Sequence, residues 1–423
     1  MIKRTLSIMA MIVMLAGCSQ LFSSDNDGQE ELQPIPSEDI ITVTISTPQW
    51  MSSQEFENWF VLPLSESHPA IQLNRIVHDS QLKSSSETVP DLILMYTWQL
   101  PHLEEHAWAY DLEPLIKRYD FDLETIESAA IDLVRASNVE NLLIALPVAS
   151  DFGALYYNKD IFDKFHVSYP KDQMTWPELI ELAKRVTAAA DGIQYGGFGF
   201  AGLSVDMMFA SLPFVDPETE RAVVHTEQWS KLFQYAKELY DIPGNGQMIL
   251  GAENYFMNQK TLAMMMAPNL LKELRDEFNW DLAAMPILEE APDTGRAPFG
   301  LALAVTKQSE KKEQAIQIIS SVLSEEAQME MARNGRPGVI RSSSWMNVFG
   351  ENLPHLEGKH VQAAFSSTPI RPLTVTRYDQ TAQQIMQQAI IAYAEQGMDI
   401  DVVLQMAEEQ INRYIDELKQ SQD

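Results

Sequence analysis

A pentapeptide with two histidines, at residues 102–106, is the part of this sequence whose residue types most directly suggest chemistry. His102, Glu105 and His106 have the spacing H-x-x-E-H, the inverted form of a zinc-peptidase motif. On a helix the two histidines would share a face, and the glutamate could act as a general base. A catalytic zinc needs a third protein ligand, which no later motif marks, and a solvated, acidic helical turn explains the same residues. We therefore predict no metal site and no other cofactor.

Other catalytic arrangements lack their key residues. The sequence has no G-x-S-x-G nucleophile elbow, and its single cysteine, Cys18, lies close to the N-terminus. Paired acidic residues such as Glu408 and Glu409 are neighbours in sequence, and adjacent residues on a helix do not face one another. A secreted hydrolase of glycans or peptides stays an alternative, because two carboxylates that converge only in the folded chain leave no sequence motif. We predict a protein that is not an enzyme.

Aromatic and polar residues near the ends of predicted strands suggest a binding site. Sugar rings have apolar faces and hydroxyl groups at their edges, so a sugar site needs flat aromatic rings and a few hydrogen-bonding groups. Each aromatic residue could instead belong to a hydrophobic core. Six residues form the predicted ligand-binding set: Trp50, Trp98, Asp151, Asp206, Asn269 and Tyr378.

Strands and helices alternate along the part of the chain that would position these residues. Ile41, Val43 and Ile45 alternate with polar residues and predict a first strand with one buried face. A helix is predicted at Gln54–Leu64, and the short apolar run Pro90–Met95 is typical of a buried parallel strand. Such alternation predicts an α/β fold, in which ligand sites lie at the carboxyl ends of strands.

The segment Leu146–Thr187 carries the densest set of local signals. Thr175 and Glu178 form a capping box, in which each side chain accepts a hydrogen bond from the other residue's backbone N–H. Ala154–Tyr157 predicts an apolar strand before this helix. Further predictions are a glycine-rich loop at Gly192–Gly202, a buried strand at Leu262–Ala267, one long helix at Glu313–Met331 and two C-terminal helices at Gln380–Glu395 and Ile400–Leu418.

A resemblance to a known family rests on Pro147, the run Leu155–Phe162 and the run Thr175–Glu178. In order and spacing these motifs resemble those of family 1 extracellular solute-binding proteins, the sugar-receptor subunits of ABC importers. The resemblance covers nearly all of residues 40–420. It implies an α/β, two-lobed periplasmic-binding-protein-like fold with three interlobe crossings, near Ala149, Gly300 and Val339. The implied lobes are residues 39–149 plus 300–338 and residues 150–299 plus 339–423.

The resemblance also implies roles for single residues. Asp151 matches a position where sugar-binding relatives hold hydroxyl groups with an acidic side chain, and Tyr378 follows Pro372 at the place of a stacking aromatic. Trp98 lies at the end of a strand that reaches the cleft. Asn269 stands where relatives often carry an aromatic residue. The implied function is capture of a sugar or oligosaccharide by hinge closure and its delivery to ABC permease subunits.

Two other solute-binding functions stay open at the level of sequence. One is a binding lipoprotein for a peptide or a cationic solute, and the other is a receptor coupled to a sensor instead of a transporter. The chain has 423 residues, long enough for two or more domains, and carries 60 acidic against 30 basic residues, a net charge of −30. Such a charge repels nucleic acid, so none is expected as a partner, and it would attract a cationic solute. We expect a monomer.

The N-terminal residues indicate export and anchoring. Lys3 and Arg4 precede an apolar run, which predicts a secretory signal peptide at residues 1–17. The run is shorter than the roughly 20 residues of a membrane-spanning helix. The small residues before Cys18 resemble a bacterial lipoprotein box, which implies lipidation of Cys18. Residues 18–38 are polar and predict a flexible tether, so we expect an extracytoplasmic protein that is lipid-anchored to the cell membrane.

Overall fold

The computed structural model describes residues 40–80, 82–83, 88–138, 140–201, 212–249, 251–287, 299–365 and 376–420. Among these residues, no helix is both long and apolar enough to cross a bilayer. The predicted signal peptide, the Cys18 lipidation site, the tether and the predicted ligand residue Asp206 lie outside the described residues.

Twelve strands and thirteen α-helices are formed by the described residues. The strands are β1 Ile41–Pro48, β2 Ile71–His78, β3 Leu92–Tyr96, β4 Leu146–Ser150, β5 Gly153–Asn158, β6 Ala188–Ala190, β7 Ile193–Phe200, β8 Val215–Asp216, β9 Arg221–Ala222, β10 Leu262–Pro268, β11 Trp280–Ala283 and β12 Gly300–Val305. The helices are α1 Ser53–Phe56, α2 Leu62–Ser67, α3 His102–Glu105, α4 Glu113–Arg118, α5 Ser128–Ala136, α6 Lys159–Phe165, α7 Trp176–Val186, α8 Glu227–Asp241, α9 Lys312–Val322, α10 Glu325–Arg333, α11 Ser344–Asn347, α12 Asp379–Gln396 and α13 Ile400–Gln420.

The first sheet has the strand order β2-β1-β3-β12-β4. Strands β1, β2 and β3 are parallel, while β12 is antiparallel to both β3 and β4, so β4 runs in the same direction as β3. The carboxyl ends of β1, β2, β3 and β4 therefore meet at one edge. Strand β1 is interior to this sheet, and its polar residues Ser46 and Thr47 are buried along with Val43 and Ile45. The predicted strand is confirmed, but the expectation of a single buried face is wrong because both faces of this parallel sheet are covered.

The second sheet has the strand order β11-β5-β10-β7-β6. Gly153 at the start of β5 pairs with Pro268 at the end of β10, and Met266 of β10 pairs with Phe200 at the end of β7. The carboxyl ends of β7 and β10 thus lie beside the start of β5. Only Asp151 and Phe152 separate β5 from β4 of the first sheet. The edge of the first sheet with the carboxyl ends of β1 to β4 and the edge of the second sheet with the ends of β7 and β10 therefore face one junction.

Two hydrophobic cores lie on opposite faces of the second sheet. Tyr156 of β5 and Met265 of β10 belong to the core that extends from the first sheet. Their neighbours Leu155 and Met264 belong to the other core, which helices α7, α8, α12 and α13 cover. Alternation of side chains along each strand divides the apolar residues between the two cores.

The segment with the densest sequence signals folds largely as predicted. The Thr175 hydroxyl accepts a hydrogen bond from the Glu178 N–H at 3.4 Å, and the Glu178 carboxylate accepts from the Thr175 N–H at 2.8 Å. Helix α7 begins at the next residue, and Trp176 is buried against Tyr235 and Phe198. The predicted strand at Leu262–Ala267 and the two C-terminal helices are also confirmed as β10, α12 and α13.

Residues 193–200 form strand β7, so the predicted glycine-rich loop is wrong in this part. The glycines serve close packing instead of a bend. A Cβ atom on Gly197 would lie 2.3 Å from the Ala183 carbonyl oxygen of α7, and one on Gly199 would lie 2.4 Å from the Met248 carbonyl oxygen. Two backbone segments can approach the strand this closely only because it lacks side chains there.

The long helix predicted at Glu313–Met331 is two helices. Helix α9 ends at Val322, and α10 begins at Glu325 after Ser324, whose hydroxyl accepts a hydrogen bond from the Ala327 N–H at 3.3 Å. The serine therefore acts as an N-cap for a second helix, a signal that the apolar periodicity on both sides concealed.

The chain passes between the sheets at three places in the described structure. The first passage is Asp151–Phe152, and the second ends at Phe299 and Gly300. We predicted the third near Val339, but residues 339–341 still pair with residues 125–127 beside the first sheet. The backbone reaches the second sheet at His360, whose N–H donates to the Asp281 carboxylate at 2.7 Å.

We expect a buried histidine of the first sheet to make the protein less stable in mild acid. The Nδ1 atom of His78 lies 2.8 Å from the Ser46 hydroxyl, and burial lowers the pKa of His78 to about 4. Between pH 6.5 and about 4 the unfolded chain binds a proton that folded His78 does not, so stability falls as the pH falls. The loss approaches about 3 kcal/mol for this one group. Substitution His78→Gln should flatten the dependence of the unfolding free energy on pH in this window, as measured by urea unfolding.

A matched control is His166→Asn. His166 is exposed and ends helix α6 with a φ of 54°, a conformation that asparagine tolerates. This substitution should leave the slope between pH 4 and 6.5 as it is in the parent protein. Equal slopes for His78→Gln and the parent would refute the assignment to His78.

Candidate functional site

A row of aromatic rings lies at the carboxyl edge of the first sheet. Trp50 follows β1, Tyr96 ends β3, and Trp98 lies in the 3-10 turn Thr97–Gln99. The ring centroids of Trp50 and Tyr96 are 5.9 Å apart, and those of Tyr96 and Trp98 are 6.0 Å apart with nearly parallel planes. Trp50 is 39% exposed and Trp98 is 43% exposed. The row therefore offers flat apolar surface to a ligand at the edge where the sheet topology places one.

A buried ion pair lies beside this row. Asp151, in the first passage between the sheets, pairs through its Oδ2 with Nη1 of Arg336, and both side chains are almost wholly buried. The Oδ1 atom accepts a hydrogen bond from the Phe152 N–H at 3.0 Å. The guanidinium of Arg336 also lies over the Trp50 ring, 5.4 Å from its centroid. One arginine thus contacts two of the predicted ligand-binding residues.

Backbone hydrogen bonds join the first two passages and the segment after helix α10 near this ion pair. The Asp151 N–H donates to the Phe299 carbonyl at 2.9 Å, and the Ser150 N–H donates to the Pro337 carbonyl at 3.0 Å. The buried amide of Gln328 extends the connection, because it donates to the Val148 carbonyl at 2.8 Å and accepts from the Val339 N–H at 2.8 Å. The Asp151 carboxylate is therefore held where three separate parts of the chain meet.

A second ion pair connects elements of the two sheets. Glu55 in helix α1, beside the first sheet, lies 2.5 Å from Nζ of Lys272, which follows β10 of the second sheet. The ring of Trp59 lies between the two pairs, with its centroid 5.8 Å from the Lys272 ammonium and 5.9 Å from the Arg336 guanidinium. Asp151 and Glu55 therefore each have a cationic partner.

The charge states of the junction follow from these contacts. Burial disfavours the charged guanidinium, but Asp151, Tyr96 and Glu55 together outweigh burial and the pKa of Arg336 is raised, so the pair stays ionic. Burial, with a smaller contribution from Asp151, raises the pKa of Tyr96 to about 12, so its hydroxyl stays protonated. At physiological pH the Tyr96 hydroxyl is neutral, and the charges of Asp151 and Glu55 are balanced by Arg336 and Lys272.

Asn269 lies beside the junction, but the protein already uses its amide. Its Nδ2 donates to the Gly335 carbonyl at 2.8 Å, and its Oδ1 accepts from the Leu271 N–H at 3.2 Å. The side chain therefore joins the loop after β10 to the segment that carries Arg336. It fixes the site's wall in this structure instead of presenting a free group to a ligand.

Tyr378 is not part of this site, and its prediction as a stacking residue is wrong for the structure described here. The residue is 1% exposed in the core beneath α12 and α13, and its ring packs against Tyr414 with centroids 6.4 Å apart. Its hydroxyl donates to Glu220 at 3.1 Å and accepts from Arg377 at 2.9 Å. The packing of the C-terminal helices buries a ring that an alignment by position had assigned to the cleft.

The structure thus brings Trp50, Trp98, Asp151 and Asn269 together, buries Tyr378 elsewhere and does not describe Asp206. Sequence reasoning missed Arg336 and Trp59 at the same junction. For Arg336, the available signal was a charged residue between Gly335 and Pro337, close to a predicted crossing. No sequence signal separates Trp59 from an ordinary core tryptophan.

The H-x-x-E-H pentapeptide does not bring its histidines to one metal. The His102 ring lies 2.7 Å from Glu105, whereas the His106 ring stacks on Trp108 at 4.6 Å. The part of the chain that the structure describes has no group of three potential ligands arranged to hold a metal ion. A cavity of about 230 Å³ between Ser46, His78 and Trp108 is lined by none of the predicted ligand-binding residues.

We expect the buried Asp151–Arg336 pair to be far more sensitive than an exposed one. The sequence alone offered no reason to expect that Asp151→Ala would affect folding. In the structure, this substitution would leave the Arg336 charge buried and unpaired. The expected cost is about 3–5 kcal/mol in the free energy of unfolding, measured in urea. The double substitution Asp151→Leu with Arg336→Met removes both charges and should cost much less.

The exposed pair of Arg221 and Asp416, 2.9 Å apart, provides the control. Asp416→Ala should leave the unfolding free energy nearly unchanged because solvent screens this pair. If Asp151→Ala proved as mild as Asp416→Ala, the ion pair would not be the strong constraint that its burial indicates.

Comparison with known proteins supports the arrangement of the fold. The family model of bacterial extracellular solute-binding proteins matches residues 79–329, more than half of the chain. The matched range includes Tyr96, Trp98, Asp151 and the first two passages, and it leaves out Trp50. It ends before Arg336.

Solved structures share the fold over almost their whole length. An ABC substrate-binding protein from Listeria monocytogenes in complex with cycloalternan has a TM-score of 0.72 at 18% identity, covering 89% of this chain and 99% of its own. A sugar-binding protein from Xanthomonas citri has a TM-score of 0.70 at 15% identity, with 90% and 98% covered. UgpB from Mycobacterium tuberculosis, in complex with glycerophosphocholine, has a TM-score of 0.68 at 14% identity, with 89% and 99% covered. The fold is thus two-lobed and α/β, and at these identities the likeness concerns the fold alone.

Proposed function

Because this chain belongs to the family of bacterial extracellular solute-binding proteins, we propose that it is a receptor for a sugar or oligosaccharide. The observation that carries the proposal is the row of Trp50, Tyr96 and Trp98, with both tryptophans exposed, beside the Asp151 carboxylate. Aromatic faces suit the apolar faces of sugar rings, while the carboxylate suits hydroxyl groups. Sugars and sugar alcohols are bound by several proteins of the same fold, which is consistent with this assignment.

Hinge closure is the proposed mode of capture. A solute that contacts the aromatic row and the wall formed after β10 gains contacts on both sheets only when the lobes are closed. That difference in affinity shifts the equilibrium toward closure, and the passages at Asp151, Phe299 and Arg341–His360 would absorb the motion. We propose lobes of residues 39–149 plus 300–341 and residues 150–299 plus 360–423, joined in the third passage by the residues between Arg341 and His360.

The closed receptor would then deliver its solute to the permease subunits of an ABC importer. The N-terminal signals support the proposal that a signal peptide at residues 1–17 directs export and that a lipid on Cys18 anchors the protein outside the cytoplasm. No catalysis is needed for this role. A sensor-coupled receptor would use the same site and the same closure.

A second candidate solute is a quaternary ammonium or another small cation. Three aromatic rings beside a carboxylate can enclose such a cation, and the chain's net charge of −30 would attract it. Against this, the Asp151 charge is balanced by Arg336 and the Glu55 charge by Lys272, so the site itself favours a neutral solute.

A thermal-shift screen tests the proposed solute class. We expect maltose, maltotriose, cyclic glucose oligosaccharides, mannitol or tagatose to stabilise the protein, while amino acids and short peptides do not. A ligand at about 100 times its Kd adds about 2.7 kcal/mol, which is readily seen as a higher Tm. If only glycerophosphocholine, choline or polyamines raised the Tm, the sugar assignment would be wrong and the cationic one correct.

The exposed tryptophan at the end of the aromatic row should determine affinity and not stability. We expect Trp98→Ala to weaken binding of the stabilising sugar by about 30-fold, or about 2 kcal/mol, because a stacking ring is lost. The measurement is isothermal titration calorimetry. Substitution Trp176→Ala is the matched control: its buried ring should cost about 3–5 kcal/mol of stability and leave the sugar affinity of the folded protein unchanged. Unaltered affinity in Trp98→Ala would remove the aromatic row from the binding site.

A further inference from the structure

The Arg336 side chain contacts both an acidic and an aromatic member of the predicted site, Asp151 and Trp50. Its Nη1 donates to Asp151 while its guanidinium plane lies near the faces of Trp50 and Trp59. The carboxylate of Asp151 accepts one further hydrogen bond, from the Phe152 N–H. Since a carboxylate has about four acceptor positions, the remaining ones are available to hydroxyl donors.

Asp151 and Arg336 come from distant parts of the chain. Asp151 lies in the first passage between the sheets, and Arg336 follows helix α10 at the approach to the third. The bonds from Ser150 to Pro337 and from Asp151 to Phe299 lie beside the pair. Loss of the ion pair would therefore leave the Asp151 carboxylate free to reorient and would loosen the hydrogen bonds that hold the first passage in place.

We propose that Arg336 is a positioning residue of the solute site, which orients the Asp151 carboxylate and the Trp50 ring and fixes the first passage against the segment that follows helix α10. The expected effect of Arg336 on solute affinity rests on the proposed function, whereas its expected effect on the first passage does not. A planar guanidinium carries five donors in a fixed geometry, so it orients a carboxylate more strictly than the compact ammonium group of a lysine does.

The first arm of the test needs no ligand. Substitution Arg336→Lys keeps the charge and should accelerate hydrogen exchange of the Ser150 and Asp151 amides at least tenfold, measured by mass spectrometry on the ligand-free protein. The matched control is Arg333→Lys in the same segment, whose side chain is 31% exposed and pairs with Glu330 and Glu351. It should leave that exchange unchanged.

The second arm measures affinity for the sugar that stabilises the parent protein most in the thermal-shift screen. We expect Arg336→Lys to weaken binding at least tenfold and Arg333→Lys to have no effect. In a double-mutant cycle, Arg336→Lys and Asp151→Asn should be strongly non-additive, because the arginine acts through the carboxylate. Arg336→Lys and Trp98→Phe should be additive, since no contact joins them. A merely structural role of Arg336 would give additive effects in both cycles.

The outcomes separate this inference from the proposed function. If no sugar binds, the proposed function fails, and the exchange arm alone decides whether Arg336 fixes the passages. If a sugar binds and Arg336→Lys matches the parent in exchange and affinity, the inference is overturned while the function stands. If Arg336→Lys fails to fold, the charge-free double variant Asp151→Leu with Arg336→Met replaces it, with faster exchange supporting the inference and unchanged exchange overturning it.

Discussion

The buried pair of Asp151 and Arg336 is the constraint on which the rest of this structure depends. Two charges removed from water are tolerable only while each remains the other's partner. Here the partners are 185 positions apart in the chain, Asp151 in the first passage between the sheets and Arg336 in the segment after helix α10. The pair can form only when these two segments pack against each other, so the electrostatic requirement and the packing of the first passage are satisfied together.

The aromatic row lies at the same junction. Trp50 and Trp98 keep about two fifths of their surface in solvent, which is unfavourable for large apolar rings unless a ligand covers them. Parallel strands deliver them to one sheet edge, beside a carboxylate whose orientation is already fixed. A site with fixed groups loses little conformational freedom on binding, so more of the contact energy remains for affinity and closure.

The overall charge of the chain is a poor guide to the charge of its site. A net charge of −30 describes the surface and its effect on long-range attraction. At the junction, Asp151 and Glu55 each have a cation within contact distance, and Tyr96 stays neutral. The choice between a neutral sugar and a cation therefore depends on local pairing, which short-range geometry decides.

The sequence by itself determined the elements whose signals are local: the capping box of Thr175 and Glu178, the buried strand β10 and the two C-terminal helices. Such features depend on neighbours a few residues away. The predicted ends of β1 and β3 put Trp50 and Trp98 at one sheet edge, and the family resemblance put Asp151 beside them. Only the tertiary structure decided the partner of Asp151, the burial of Tyr378 and the strand at residues 193–200. Each depends on contacts between distant segments, because a side chain's exposure and a glycine's clearance are set by whatever packs against them.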